Sequence, residues 1–232
     1  MDQRIVTGSP SRVSESSFLS RVYLWMSAGL AISASASYWL MSQPALLKAL
    51  FSNSILLIGL VIAEIALVVW LSVAAMRMSA VMASLIFLAY SFLNGITLTS
   101  VLLVYTGVSV ISTFAITAGT FFFFSVYGMT TKKDLTSLGG LMMMGLIGMI
   151  IAGIVNIFLK STMLYWISTF VGIAVFLGLT AWDTQKLKNI HAMGFESDEM
   201  EKKVAILGAL TLYLDFINLF ILLLRIFGKR RD

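Results

Sequence analysis

Of the 11 acidic residues in this 232-residue chain, three lie inside long apolar runs: Glu64 in LVIAEIALVVW, Asp183 in LGLTAWDTQKLK and Asp215 in ALTLYLDFINLFILLLR. A carboxylate surrounded by hydrocarbon is costly unless a proton, a partner or water offsets it. Asp215 poses the problem most sharply, because about 11 residues of its run precede it, about 16 Å of helix at 1.5 Å per residue. Its neighbours are patterned. Thr211, Asp215, Asn218, Leu222 and Arg225 recur at spacings of four, three, four and three. At 100° per residue they fall within roughly an 80° wedge of one helix face. Tyr213, Phe216, Ile217 and Phe220 occupy the other side. The polar wedge is therefore expected to look towards other helices or water.

The chemistry open to these acids is proton sharing and cation binding. If Asp183 and Asp215 meet, both cannot be charged cheaply, so one proton is shared between them. Such a pair changes charge near neutral pH, whereas an isolated aspartate titrates near about 3.9. Deprotonated, the same oxygens are hard ligands suited to calcium, but two carboxylates fall short of the roughly six to eight oxygens it prefers. The expected site is one of weak transit, with calcium as a transported ion and no cofactor. Plainer readings stand beside this one. Glu64 could be a helix-packing acid bonded to a nearby Ser or Asn, and Asp183 an interfacial residue paired with Lys186 at helical spacing. Depth is a further constraint. Lys186 and Lys188 place Asp183 near the surface, whereas Lys203 places Asp215 about 18 Å in. The levels match only if the start of the last segment lies outside the hydrocarbon or its lysines snorkel.

The elements that must position these residues are long and apolar. The chain is 59% hydrophobic and 12% charged, about half the charge of a soluble domain, with a mean hydropathy of +0.96. Seven apolar stretches stand out, near 22–41, 54–76, 79–104, 109–130, 138–159, 163–184 and 204–227. Barrel strands would be about ten residues of alternating polarity. These runs are twice that length and do not alternate, so they read as helices that satisfy their own backbone groups in lipid. The expected fold is an all-α integral membrane domain over 22–228, with a polar N-terminal tail over 1–21 and a basic tail over 229–232. The N-terminal tail does not resemble a signal peptide. Ser42-Gln43-Pro44, Met76-Arg77-Met78, Tyr105-Thr106-Gly107, the Thr130–Asp134 stretch and Lys160-Ser161 mark the breaks. The longest polar segment, 185–203, holds the lone histidine, His191. Small residues crowd the first run (Gly29, Ser33, Ala36, Ser37) and the fifth (Gly139, Gly140, Gly145, Gly148, Gly153), which predicts close helix packing. The Phe121–Phe124 run reads as lipid-facing bulk.

Charge gives the sequence a sidedness. With the N-terminus in the cytoplasm, ten Lys and Arg fall on that side, among them Arg21, Arg77, Lys132, Lys186 and Lys203, against Lys48 and Lys160 on the other. The positive-inside rule favours this orientation. The C-terminal residues Arg225, Lys229, Arg230 and Arg231 oppose it, so the last segment either crosses against the bias or re-enters. The composition also argues against other classes. With no cysteine and one histidine, a metal or thiol active site cannot be built, and no Gly-x-Ser-x-Gly is present. Two membrane aspartates suggest an intramembrane aspartyl protease. However, Asp215 follows Leu-Tyr-Leu where such proteases have Gly-x-Gly, and Pro44-Ala45-Leu46 lies in the first loop. The chain is not expected to be an enzyme. Nor is nucleic acid an expected partner, since the basic residues sit at span ends.

LTAWDTQKLK at 179–188 and GALTLYLDFINLFILLLRIFG at 208–228 resemble the paired C-terminal motifs of the transmembrane Bax inhibitor motif family. FLSRVYLWM near the start and YGMTTKKDLTSLG at 127–139 resemble its bacterial branch. This resemblance implies seven helices, the last at the centre of two three-helix layers. It implies a pH-gated calcium leak across the cell's inner membrane, with Asp183 and Asp215 as the gating pair. It also implies a closed-state latch between the sixth-helix aspartate and a basic residue at the end of the second helix, where Arg77 stands. Glu64, Thr211, Asn218 and Arg225 are supporting polar candidates. The alternative is a non-conducting regulator whose N-tail and 185–203 segment bind a partner such as a membrane protease or a cell-death factor. A proton-coupled transporter shares the carboxylate logic but would show saturable exchange.

Overall fold

A computed structural model describes residues 12–231 as helices joined by short turns. In chain order these are α1 (Arg12–Met41), α2 (Pro44–Phe51), α3 (Ser54–Ala74) with a 3-10 turn at Ala75–Arg77, α4 (Ala80–Leu102), α5 (Gly107–Thr130), α6 (Thr136–Leu159), α7 (Thr162–Ala192) and α8 (Asp198–Phe227). Starts are set by side-chain caps. Asn53, Ser79, Thr106, Ser161 and Ser197 each accept a backbone N–H from the first turn that follows. Six helices, α3 to α8, are long and apolar enough to cross a membrane.

The apolar helices divide sharply by burial. In its most apolar stretch, 72% of α8 is buried, against none of α6, and this places α8 at the centre. It packs on α1, α4, α5 and α7. Among the remaining helices, α1 and α3 pack on α4, and α5 and α6 pack on α7. The core follows α8: Ala209, Leu212, Tyr213, Leu219 and Leu224 are completely buried, together with Phe18, Val22 and Phe87 from the surrounding helices.

The small residues of α1 act as expected. A side chain at Gly29 would strike Phe87, and one at Gly95 would strike the Ser33 backbone. Ser33 Oγ donates to the Ser91 carbonyl at 2.7 Å, and Ser37 Oγ to that of Gly95. In α6 the expectation holds only in part. Gly139 lies against the Trp182 ring and Gly145 against Val175, but Gly140, Gly148 and Gly153 have nothing within 4 Å.

Several boundaries differ from the sequence reading. Residues 1–11 of the expected polar tail lie outside the described residues, but from Arg12 onward the tail is helix. The cause is an apolar stripe, Phe18, Leu19 and Val22, all buried, with Phe18 stacked on His191 at 4.9 Å. The 185–203 segment is not a loop: α7 runs through to Ala192 and α8 begins at Asp198. Its polar residues mark helix ends that extend past the apolar run. The Phe121–Phe124 run is split by helical geometry. Phe122 and Phe123 are exposed, whereas Phe121 is buried against Phe216 at 5.4 Å. The short helix α2 was not anticipated.

The two ends of α8 are fastened to opposite ends of the bundle. At its start, Glu199 accepts the Ala80 N–H at 2.6 Å, and Glu201 pairs with Arg21. At its end, the Thr106 N–H donates to the Lys229 carbonyl and the Arg231 N–H to that of Val104, each at 2.9 Å, and Tyr105 and Arg230 form an antiparallel bridge. α8 runs unbroken from Asp198 to Phe227, with no re-entrant turn. Its basic tail ends beside the 103–106 turn.

Candidate functional site: an acid pair in a cleft beside the central helix

Asp183 stands on α7 and Asp215 on α8, two helices in direct contact. Both are buried, with 7% and 5% of their surface exposed. Both line the same cleft, close enough for the charge of one to act on the other. Asp215 Oδ2 is enclosed and has no hydrogen-bond partner among the described residues. Two acids buried side by side cannot both be charged cheaply.

The length of the two helices resolves the mismatch of depth. α7 has 31 residues and α8 has 30, about 45 Å each at 1.5 Å per residue against a hydrocarbon core of about 30 Å. Helices that exceed the core leave room for Lys202 and Lys203 to lie beyond it, so these lysines need not mark the membrane surface level with Asp183.

The surroundings are built by the motif LTAWDTQKLK, each of whose polar residues has a separate task. Thr184 Oγ1 lies 3.2 Å from the Tyr23 hydroxyl of α1. Gln185 accepts the Leu135 N–H and donates to the Lys133 carbonyl, both at 2.8 Å, which fixes the turn before α6. Lys188 Nζ donates to the Met129 carbonyl at 2.7 Å. Lys186 lies over the Trp182 ring at 4.9 Å and is the cation that acts on Asp183. Helix α5 comes close because it has Gly128 against the Ala181 backbone.

The pair opens onto a cleft of about 700 Å³ between α6, α7 and α8. All five residues of the predicted wedge, Thr211, Asp215, Asn218, Leu222 and Arg225, line it together with Asp183 and Lys186. Within the wedge, Thr211 and Asn218 each donate to the carbonyl one turn back, at 3.1 and 2.8 Å. A second cavity of about 370 Å³ towards the start of α8 shares Asp183, Lys186 and Thr211. A third, of about 580 Å³ at the other end, shares Arg225. Each of the two therefore borders the cleft through residues of α7 or α8. Among the described residues, no group of three or more His, Cys, Asp or Glu gathers to hold a metal ion.

Two predicted residues lie elsewhere. Arg77 is exposed at the end of its 3-10 turn and outside the lining of the cleft; the cation beside Asp183 is instead Lys186. Glu64, 9% exposed, accepts from Thr97 Oγ1 and from Asn94 Nδ2 at 3.4 Å. It belongs to a separate network in which the Tyr213 hydroxyl donates to Asn94 Oδ1 at 2.9 Å and lies 2.6 Å from Ser33 Oγ. The sequence reading missed this network. Tyr213 was placed on the apolar face, and nothing local in the sequence shows that its hydroxyl reaches two other helices.

A helical integral membrane protein with two buried acids lining a cleft beside its central helix is the class that fold and site define. The chain belongs to the Bax inhibitor family: the family model described as "Inhibitor of apoptosis-promoting Bax1" matches residues 15–232. It is 49% identical over 218 residues to inner membrane protein YbhL of Escherichia coli K12, covering 92% of each chain. A protein of Borreliella burgdorferi is 42% identical over 215 residues, with 93% of each covered. A membrane protein of Streptococcus pyogenes serotype M1 is 36% identical over 222 residues, covering 94% of this chain and 95% of its own.

Proposed function

We propose that the protein is a pH-sensitive cation leak of the inner membrane, passing calcium downhill and gated by the protonation of Asp183 and Asp215. The observation that carries this reading is that both acids are buried against one cleft, which shares lining residues with cavities towards both ends of α8. On this reading α1 is a seventh span, and α8 stands between one set formed by α1, α3 and α4 and another formed by α5, α6 and α7. The inner-membrane location rests on the family and on the relative called an inner membrane protein. The N-terminus faces the cytoplasm, in keeping with the positive-inside rule.

The gate follows from charge. While the pair shares one proton it keeps one negative charge, and the attraction of Asp215 on α8 for Lys186 on α7, across the cleft that both line, holds the two helices in one packing. Uptake of the second proton cancels that attraction and frees α7 and α8 to part. A bias of a few kcal/mol between two packings is enough for such a switch. Ionised oxygens hold a passing cation weakly, because the pair offers far fewer ligands than a calcium storage site.

The test is flux from calcium-loaded vesicles reconstituted with the full chain. Wild-type flux should rise as the pH falls through the range in which the pair takes up protons. Asp183→Asn and Asp215→Asn should each flatten that dependence. If either variant keeps the wild-type pH profile, or if wild-type vesicles leak no faster than empty ones at any pH, the reading is wrong.

A further inference from the structure

At the end of the bundle where α8 stops, three cations from three segments share one pocket. Lys160 comes from the α6–α7 turn, Arg225 from the last turn of α8 and Arg230 from the tail. Their convergence is enforced by the backbone. Lys160 is the only described non-glycine residue with positive φ, +49°, and it ends α6 in the left-handed conformation. The Asn156 side chain then accepts the Ser161 N–H at 2.9 Å, which fixes the turn. Arg225 is held over the Tyr165 ring at 5.0 Å. Arg230 is placed by the antiparallel bridge between its own backbone and that of Tyr105.

Among the described residues, none of those lining this pocket is acidic. The single ion pair among the described residues, Arg21 with Glu201, lies at the other end of α8. Ser161 and Thr162 add hydroxyls, and the first turn of α7 adds the positive end of a helix. Three cations, hydroxyls and a helix start around one space of about 580 Å³ are suited to a phosphate group, which arginine and helix N-termini both bind well.

The rim decides which kind of phosphate. Phe158, Leu159 and Met163 are exposed beside the pocket, and Trp166, 40% exposed, is in its wall. A tryptophan and a tyrosine next to basic residues mark the headgroup level of a membrane protein. A soluble anion gains nothing from the exposed apolar rim, whereas acyl chains would lie along it. Basic pockets between membrane helices bind anionic headgroups in this way.

We propose that this pocket takes the phosphate headgroup of an anionic phospholipid. The site would also account for a positive cluster where the charge bias of the rest of the chain disfavours one. It does not depend on the acid pair or on ion flux.

The test uses the full chain, purified in detergent and stripped of lipid, with bound lipid counted by native mass spectrometry. Phosphatidylglycerol should be retained in preference to phosphatidylcholine. Lys160→Gln with Arg230→Gln should lower its retention about tenfold and leave phosphatidylcholine unchanged. Lys160→Arg with Arg230→Lys should retain the wild-type level. Both positions are exposed, and the bridge at Arg230 is made by backbone, so the thermal transition of the lipid-free variants should match wild type. Equal retention of the two lipids, or full retention of phosphatidylglycerol by the glutamine variant, would overturn the site. Displacement of phosphatidylglycerol by millimolar inorganic phosphate would overturn the choice of a lipid and make this a free-anion pocket.

Discussion

The hydroxyl of Tyr213 ties the central helix to two others, through Ser33 of α1 and Asn94 of α4, and through Asn94 it reaches Glu64 of α3. The ring around that hydroxyl is completely buried and packs edge-on to Phe87 and Tyr90. Tyr213→Phe removes one oxygen and leaves Asn94 Oδ1 short of a donor, because Ser33 keeps its carbonyl partners on Gly29 and Ser91. The expected loss is about 1 kcal/mol, the usual scale of a hydrogen bond between membrane helices, read as a lower denaturation midpoint in detergent. The acid pair should be unaffected, since Asp215 faces the cleft on another side of α8. A change in the pH profile of Tyr213→Phe would mean that the two networks communicate.

Helices reach their contact distances through a few small residues, and only some glycines take part. Gly128 of α5 touches the Ala181 backbone, two residues before Asp183, whereas Gly140 of α6 has open space around its position. Gly128→Ala should push α5 away from α7 and cost about 1–3 kcal/mol, as overpacking does elsewhere. Gly140→Ala should be neutral or stabilise by up to about 1 kcal/mol through helix propensity. Parallel melts of the two variants check the contrast. The sequence presents the two glycines alike, in apolar helices rich in small residues. What separates them is which face meets a neighbour, and the composition of a helix apolar all round gives little indication of that. The α8 wedge was legible because polar residues are expensive in lipid, so their clustering on one face points to where lipid is absent.

The molecule as a whole is organised by α8, fixed at Glu199 and Glu201 near one end of the bundle and at Lys229 and Arg231 near the other. The chain has no cysteine, so single cysteines can report sidedness directly. Cysteines at Ser52, Lys160 and Lys229 should be labelled by an impermeant thiol reagent from one side of the membrane. Those at Lys132 and Met193 should react only from the other. Labelling of Lys229→Cys from the side of Lys132→Cys would contradict the crossing path of α8 and place its basic tail with the other cytoplasmic charges.

From its sequence alone this protein was bound to be a bundle of membrane helices, because runs of some twenty apolar residues can satisfy their backbone in lipid only as helices. The polar face of the last helix, and the need of Asp183 and Asp215 for a partner, followed from the cost of burying charge. Tertiary structure decided what depends on the meeting of distant segments. It brought the two acids to one cleft, left Arg77 outside that cleft, and extended α1, α7 and α8 through residues that read as polar tail or loop. It also joined Lys160, Arg225 and Arg230 across three segments into one pocket. The reason is common to all of these: the price of a residue in lipid is written locally, while its partner is chosen by helices that lie far apart along the chain.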